Sequence, residues 1–199
     1  MKKSDKPAEL PNIKNITISG RIGTGKTTLA NHLGDTLGWS VLDGGKLFRK
    51  ITKDLGTNIK ETNARPDSFD LAYEENVKKL LREEKNQIIQ SHLAGFDAQG
   101  IQGVYKILVI CRDEEGNDKV DIRIDRLMNR DNIDLEKAKE EIIEREKQNL
   151  EKFRRLYASN DQNWLYWDER YYDLVVNTYS HNREEALKFV LAHVGLKSD

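Results

Sequence analysis

Gly20-Arg21-Ile22-Gly23-Thr24-Gly25-Lys26-Thr27-Thr28 follows the spacing G-x-x-x-x-G-K-[ST]. An apolar run at residues 16–18 precedes it, and a helical pattern over residues 27–37 comes after it. Strand, glycine loop and helix in that order make a phosphate loop. Glycine lets the backbone wrap around an anion where a Cβ would collide. Successive backbone N–H groups then point at the phosphates, with a helix N-terminus behind them. Lys26 is spaced to reach the β- and γ-phosphates, and the Thr27 hydroxyl to ligate Mg²⁺. The plain alternative is a glycine-rich turn with no ligand; motif and flanks together weigh against it. The expected ligand is a nucleoside triphosphate.

Outward from this loop, apolar runs alternate with helical patterns. Strand one covers residues 15–19, strand two 39–42, strand three 87–90, strand four 107–111 and strand five 174–176. Runs this apolar suit strands covered on both faces, as in a parallel sheet. Helical patterns fall at residues 27–37, 46–54, 67–84, 120–130, 134–157 and 183–194. Gly38 and Gly195 stand where C-caps are expected. Asp67 or Ser68 is the expected cap of the third helix, with Leu71, Val77, Leu80 and Leu81 as its apolar stripe. The alternation predicts an α/β fold of the P-loop NTPase type, a five-stranded parallel sheet with helices on both faces.

The 199 residues suit one domain or a core with inserted lobes. A net charge of −1 gives no electrostatic footprint for nucleic acid or a membrane surface, and a monomer or weak dimer is expected. No apolar stretch approaches membrane-spanning length. The single cysteine, Cys111, lies in an apolar run and reads as a small buried hydrophobe, which fits a reducing cytoplasm. Residues 1–12 are polar, contain Pro7 and Pro11, and read as a loose tail.

Phosphoryl transfer needs positioned positive charge. Arg49 lies beyond strand two, after the turn Asp43-Gly44-Gly45. Arg123, Arg126 and Arg130 lie on the helix after strand four, the last two on one face. On the long helix, Arg145, Asn149 and Lys152 share a narrow sector beside the stripe Leu135, Ala138, Ile142 and Phe153. Any one of these arginines alone reads as a solvated surface charge. Their recurrence at the carboxyl ends of strands two and four, where parallel sheets bind ligands, argues for a site.

These segments together resemble the nucleoside monophosphate kinases, most closely the cytidylate kinase-like proteins of archaea and bacteria. The resemblance runs through Gly20 to Thr28, Asp43-Gly44-Gly45-Lys46-Leu47-Phe48-Arg49, His92-Leu93-Ala94-Gly95, Arg126 to Arg130, Arg145 to Tyr157 and Tyr172 to Thr178. It implies ATP and Mg²⁺ as cofactors and a nucleoside monophosphate as partner, CMP or dCMP foremost. It implies a kinase domain over residues 13–199, with a monophosphate-binding region at about 45–84 and a lid at about 126–157. By the same resemblance, Asp43 and Arg49 bind the acceptor. Arg126 packs on adenine, Arg130 contacts the transferring phosphate, and Arg145 and Lys152 add phosphate contacts. Asp161, or else Asp168, corresponds to an acid near the cytosine.

The chain departs from the family after strand three. There the family reads acid–Gly–Arg, and this chain reads Gln90-Ser91-His92. Gln90 lacks the acid's charge, and His92 replaces the acceptor arginine with a group that is cationic only when protonated. Either His92 meets the acceptor phosphate as a cation or it is a neutral, hydrogen-bonded histidine. Two further functions therefore stay open: a kinase of another small molecule, and a nucleotide-binding regulator with weak catalysis. Asp113-Glu114-Glu115-Gly116 spells the D-x-x-G of GTPase switches, but no Asn-Lys-x-Asp comes after it, and chance explains it better.

Overall fold

The computed structural model describes residues 6–46 and 65–196. The helix expected at 46–54 and Arg49 lie outside them, apart from Lys46. Five strands form one sheet: β1 (Asn15–Gly20), β2 (Ser40–Asp43), β3 (Gln87–Gln90), β4 (Val104–Ile110) and β5 (Leu174–Asn177). Their order is β2-β3-β1-β4-β5, and every neighbouring pair is parallel. All six residues of β1 are buried, as expected for a central strand covered on both faces.

Helix α1 (Lys26–Leu37) packs Leu29, Leu33 and Leu37 with Ile16, Ile18 and Val109 of the sheet. The last helix, α7 (Arg183–His193), joins the same cluster through Leu187 and Val190. Its start is a capping box, in which the Asn182 side chain accepts from the Glu185 N–H and the Glu185 side chain from the Asn182 N–H. On the other side of the sheet, α2 (Asp67–Glu83) and the short α3 (Ala94–Asp97) enclose Tyr73, Val77, Leu81, Ile89 and Ala94. Helix α4 (Val120–Asp131) packs Ile124 and Leu127 against Ala138 and Ile142.

Four details differ from the expectation. Residues 6–12 are pinned instead of loose: the Ala8 N–H donates to Leu37 O at 2.8 Å, and the Trp39 indole donates to Ala8 O at 2.9 Å. Leu10 is buried beneath them, and the indole N–H finds its acceptor there. Asp67 does not cap α2; Pro66 occupies that position, and the Asp67 carboxylate pairs with Arg155 at 2.9 Å. Leu71 is 44% exposed, and the buried face of α2 runs instead through Asp70, Tyr73, Glu74, Val77 and Leu81. The long helix is in three pieces: α5 (Leu135–Lys139), a π-helical segment (Glu140–Arg145) and α6 (Glu146–Tyr157). A π turn closes i→i+5 bonds and advances less per residue than an α turn, so an unbroken α-helical wheel misplaces the residues beyond it.

Candidate active site

The phosphate loop leaves the carboxyl end of β1, the central strand, between β3 and β4. Its backbone is one that glycine alone supports. Gly23 has φ +77°, and a Cβ there would lie 2.7 Å from Arg123 O; Gly25, just before α1, has φ +100°. These are the cradle positions that a phosphate needs free of side chains. The Lys26 ammonium donates to Gly20 O and Arg21 O, both at 2.8 Å. Burial, reinforced by the Arg123, Arg130 and Arg145 charges and opposed by Glu146, lowers its pKa to about 7.

A buried ionic cluster holds the loop from outside. Glu146, at the start of α6, accepts from Arg123 Nη2 and from Arg21 Nε, and its other contact is the Ile22 N–H at 3.3 Å. Arg123 is fully buried and also donates to Ile22 O at 2.7 Å and to Asp118 at 2.5 Å. Arg21 lies over the Trp167 ring at 4.7 Å. Arg21 and Ile22 are thus fastened to α4 and α6, while Thr24 Oγ1 donates back to Arg21 O at 2.9 Å. Glu146 and Asp118 escape sequence reasoning; an acid in a Glu/Lys-rich helical run or a polar loop carries no mark of burial.

Two cavities flank the loop. One lies on the α7 side and is lined by Gly25, Thr28, Arg126, Thr178, Tyr179 and Asn182, among others. Arg126 is held there by three acceptors: Thr178 Oγ1 and Thr178 O at 2.8 Å, and Cys111 Sγ at 3.5 Å. Thr178 Oγ1 in turn donates to Thr24 O at 2.8 Å, tying the end of β5 to the phosphate loop.

The second cavity lies on the β3 side. Asp43, Gln90, His92, Arg145 and Asn149 line it, with Asp70 and Glu74 from α2. Gly23, Lys26, Thr27 and Arg130 line both cavities. Asp43 and Gln90 face one another in register on β2 and β3. One Asp43 oxygen accepts from the Lys46 N–H at 3.0 Å; the other is buried and has no partner among the described residues. The Thr27 hydroxyl and the Asp43 carboxylate on one cavity wall fit a Mg²⁺ ion that keeps several waters and takes phosphate oxygens as ligands.

His92 is neutral. Its Nδ1 lies 3.2 Å from Gly20 O; a carbonyl accepts, so Nδ1 carries the proton. The ring packs edge-on to Tyr166, with centroids 5.6 Å apart. Burial first, then the Lys26 and Arg145 charges, pushes its pKa well below the ordinary 6.5. These surroundings favour the neutral form of the ring.

Two expected site residues are elsewhere. Lys152 is absent from both cavity walls: its ammonium donates to Arg65 O at 2.6 Å and pairs with Asp70 at 2.7 Å, fastening α6 to α2. Asp161 is exposed, and its carboxylate accepts from the Asn163 N–H in a local turn at 2.9 Å. Asp168 likewise caps its own 3₁₀ turn and pairs with Arg170. An acid leading a run of polar residues closes such turns on its own, which competes with reaching a distant cleft.

Comparison with known proteins adds the lineage. Residues 16–151 match the family described as AAA domain. A cytidylate kinase of Sulfurisphaera tokodaii is 30% identical over 182 residues, 90% of this chain and 94% of the relative. Among solved structures, a gluconokinase from Sinorhizobium meliloti superposes with a TM-score of 0.55 at 12% identity, covering 91% of each chain. A shikimate kinase from Acinetobacter baumannii superposes with a TM-score of 0.52 at 17% identity, over 93% of this chain and 96% of its own. Likeness at such identities establishes the fold. No described helix is long and apolar enough to cross a membrane.

Proposed function

The chain belongs to the cytidylate kinase-like family of P-loop kinases, and from that premise we propose that it transfers the γ-phosphoryl group of ATP to a nucleoside monophosphate, with CMP or dCMP as the first choice. The observation that supports this most is the meeting of two cavities over one phosphate loop, with Gly23, Lys26, Thr27 and Arg130 on both walls. A donor held on the Arg126 side and an acceptor held on the Gln90 side then face each other across Lys26, as in-line transfer requires. Arg126, a planar cation on the wall of the α7-side cavity, suits the adenine face. Arg130 and Arg145 stand on the acceptor wall, where charge develops on the transferring group.

An acceptor phosphate is already an anion near neutral pH, so transfer to it needs no general base. A neutral His92 is compatible with that. The residues that would hold Mg²⁺ are Thr27 and, through water, Asp43, which supplies beside Gln90 the negative charge that a glutamine lacks. When bound, the ion would neutralise charge between the β- and γ-phosphates.

The test is ADP release from ATP–Mg²⁺ with CMP, dCMP, UMP and AMP offered in turn, against water as acceptor. Acceleration by a monophosphate, abolished in Lys26→Ala, supports the reading. Release no faster than with water for every monophosphate overturns it. A kinase of an unphosphorylated small molecule is the second reading, favoured by the neutral His92 in place of an arginine. Shikimate and gluconate in the same assay separate it from the first.

A further inference from the structure

Most arginines around the phosphate loop meet carboxylates. Arg21 and Arg123 share Glu146, Arg130 pairs with Asp131, and Arg145 pairs with Glu141. Arg126 is different. Its acceptors are neutral groups of Thr178 and Cys111, and no carboxylate pairs with it among the described residues. Neutral acceptors fix the plane of a guanidinium without cancelling its charge. Thr178 supplies two of them: Arg126 Nη1 donates to its Oγ1 and Nη2 to its carbonyl, both at 2.8 Å. A planar fork gripped at both prongs by one residue is held in one orientation.

The Thr178 hydroxyl has one proton to give. Ile110 O lies 3.1 Å away but already accepts the Thr178 N–H at 2.9 Å, whereas Thr24 O lies at 2.8 Å. The proton therefore goes to the phosphate loop, and the oxygen lone pairs are left for Arg126. One hydroxyl thus receives from the arginine and gives to the loop. Its seat is rigid. Asn177, the last residue of β5, clamps the Arg112 backbone: its Oδ1 accepts from the Arg112 N–H at 3.1 Å, and its Nδ2 donates to Arg112 O at 2.8 Å. Arg123, one turn before Arg126 on α4, donates to Ile22 O at 2.7 Å. Helix α4 therefore grips the loop on both sides of Gly23, directly at Ile22 and through Thr178 at Thr24.

We propose that Thr178 is a positioning residue for the nucleotide donor: it sets the plane of Arg126 against the base and registers that plane to the loop that holds the phosphates. This rests on the placing of the donor on the Arg126 side proposed above, and names the residue that fixes its base end. Thr178 acts through Arg126, so its loss should remove what the nucleoside adds to binding and not merely weaken the loop.

The experiment titrates ATP and inorganic tripolyphosphate, each with Mg²⁺, into the whole chain by calorimetry. The ratio of the two affinities isolates the nucleoside's share. Parent, Thr178→Val, Thr178→Ser, Arg126→Met and the double variant Thr178→Val/Arg126→Met are compared, with thermal unfolding as a folding check. Thr178→Val keeps the shape and loses the hydroxyl, and the ratio should fall about fivefold, the scale of one cation–π contact. Thr178→Ser keeps the hydroxyl and should hold the parent's ratio. Adding Thr178→Val to Arg126→Met should lower the ratio no further. General damage to the loop would weaken both ligands alike and leave the ratio unmoved. Should Thr178→Val fail to fold, Arg126→Lys decides: it keeps the charge and loses the fork, so its ratio should fall as in Arg126→Met. An unchanged ratio in a folded Thr178→Val, or in that event a parent-like ratio in Arg126→Lys, overturns the inference while leaving the donor's placement intact. An unchanged ratio in Arg126→Met overturns that placement and the inference with it.

Discussion

Glu146→Gln is the substitution whose consequence the structure prescribes most closely. Glu146 is buried and joins two arginines, and one of them, Arg123, has no exposed side-chain surface. Glutamine has nearly the same shape, so no cavity opens; what disappears is the charge facing two guanidinium groups. Removing one partner of a buried pair costs about 3–5 kcal/mol, because the remaining charge is left uncompensated. Arg123 keeps Asp118 at 2.5 Å and Ile22 O at 2.7 Å, which places the expected loss at the low end, about 3 kcal/mol. Unfolding entropy of roughly 2.1 cal/mol/K per residue gives about 0.4 kcal/mol/K for 199 residues, hence a fall in Tm of about 7 °C. The loop should suffer with the fold, since the Ile22 N–H loses its carboxylate and Lys26 loses the one charge that raises its pKa. Differential scanning calorimetry gives the first number, and ATP titration gives the second effect as weaker binding. A double-mutant cycle with Arg123→Met tests the cause: the two losses should be strongly non-additive. A Tm shift below about 2 °C, or losses that simply add, would refute the claim that this pair is buried and coupled.

Three other outcomes are expected. Lys26 is depressed to about 7, and a bound phosphate raises it again, so ATP binding at pH 8 should take up a proton; calorimetry in buffers of different ionisation enthalpy should show uptake in the parent and none in Lys26→Met. Gly23→Ala places a Cβ 2.7 Å from Arg123 O at φ +77°, so it should cost roughly 1–3 kcal/mol and abolish ATP-induced thermal stabilisation; normal stabilisation would mean that the loop tolerates a side chain there. His92 has its folded pKa below its unfolded value, so its contribution is complete above about 6.5 and is lost as the pH falls below that, at up to about 1.4 kcal/mol per pH unit while the unfolded chain alone binds the proton. Urea unfolding at pH 7.0, 6.0 and 5.5 should therefore show a shallower acid loss in His92→Gln than in the parent, and equal losses would contradict a neutral His92.

Much of the molecule is legible in local sequence because the signals are local. The phosphate loop needs glycine at fixed offsets for backbone reasons alone, and Gly23 and Gly25 do take positive φ. The strands announce themselves by short runs of Ile, Val and Leu, although the fully buried β1 alternates these with Asn15, Thr17 and Ser19. Gly38 caps α1 in the left-handed conformation for the same kind of reason. Arg126 and Arg130, four apart on one helix, share a cavity wall because helical spacing puts them there.

What residue spacing could not carry is the fate of the charged side chains. Lys152 shares a sector with Arg145 on an ideal wheel, yet its ammonium is taken by Asp70 and Arg65, which lie far away in the chain. The π segment between Lys139 and Glu146 changes the phase, and hydrophobic periodicity does not report where a helix widens. Glu74 and Glu146 look like ordinary solvated acids in charged helices, because apolar patterning marks core positions by their apolar residues alone. Their burial is decided by partners on other elements: Glu74 sheds its charge by holding a proton against Asp97 on α3, and Glu146 keeps its charge against Arg21 and Arg123 on the phosphate loop and α4. A buried charge is stable only where the fold brings its counterpart within hydrogen-bond reach, and that pairing exists once the chain has closed on itself.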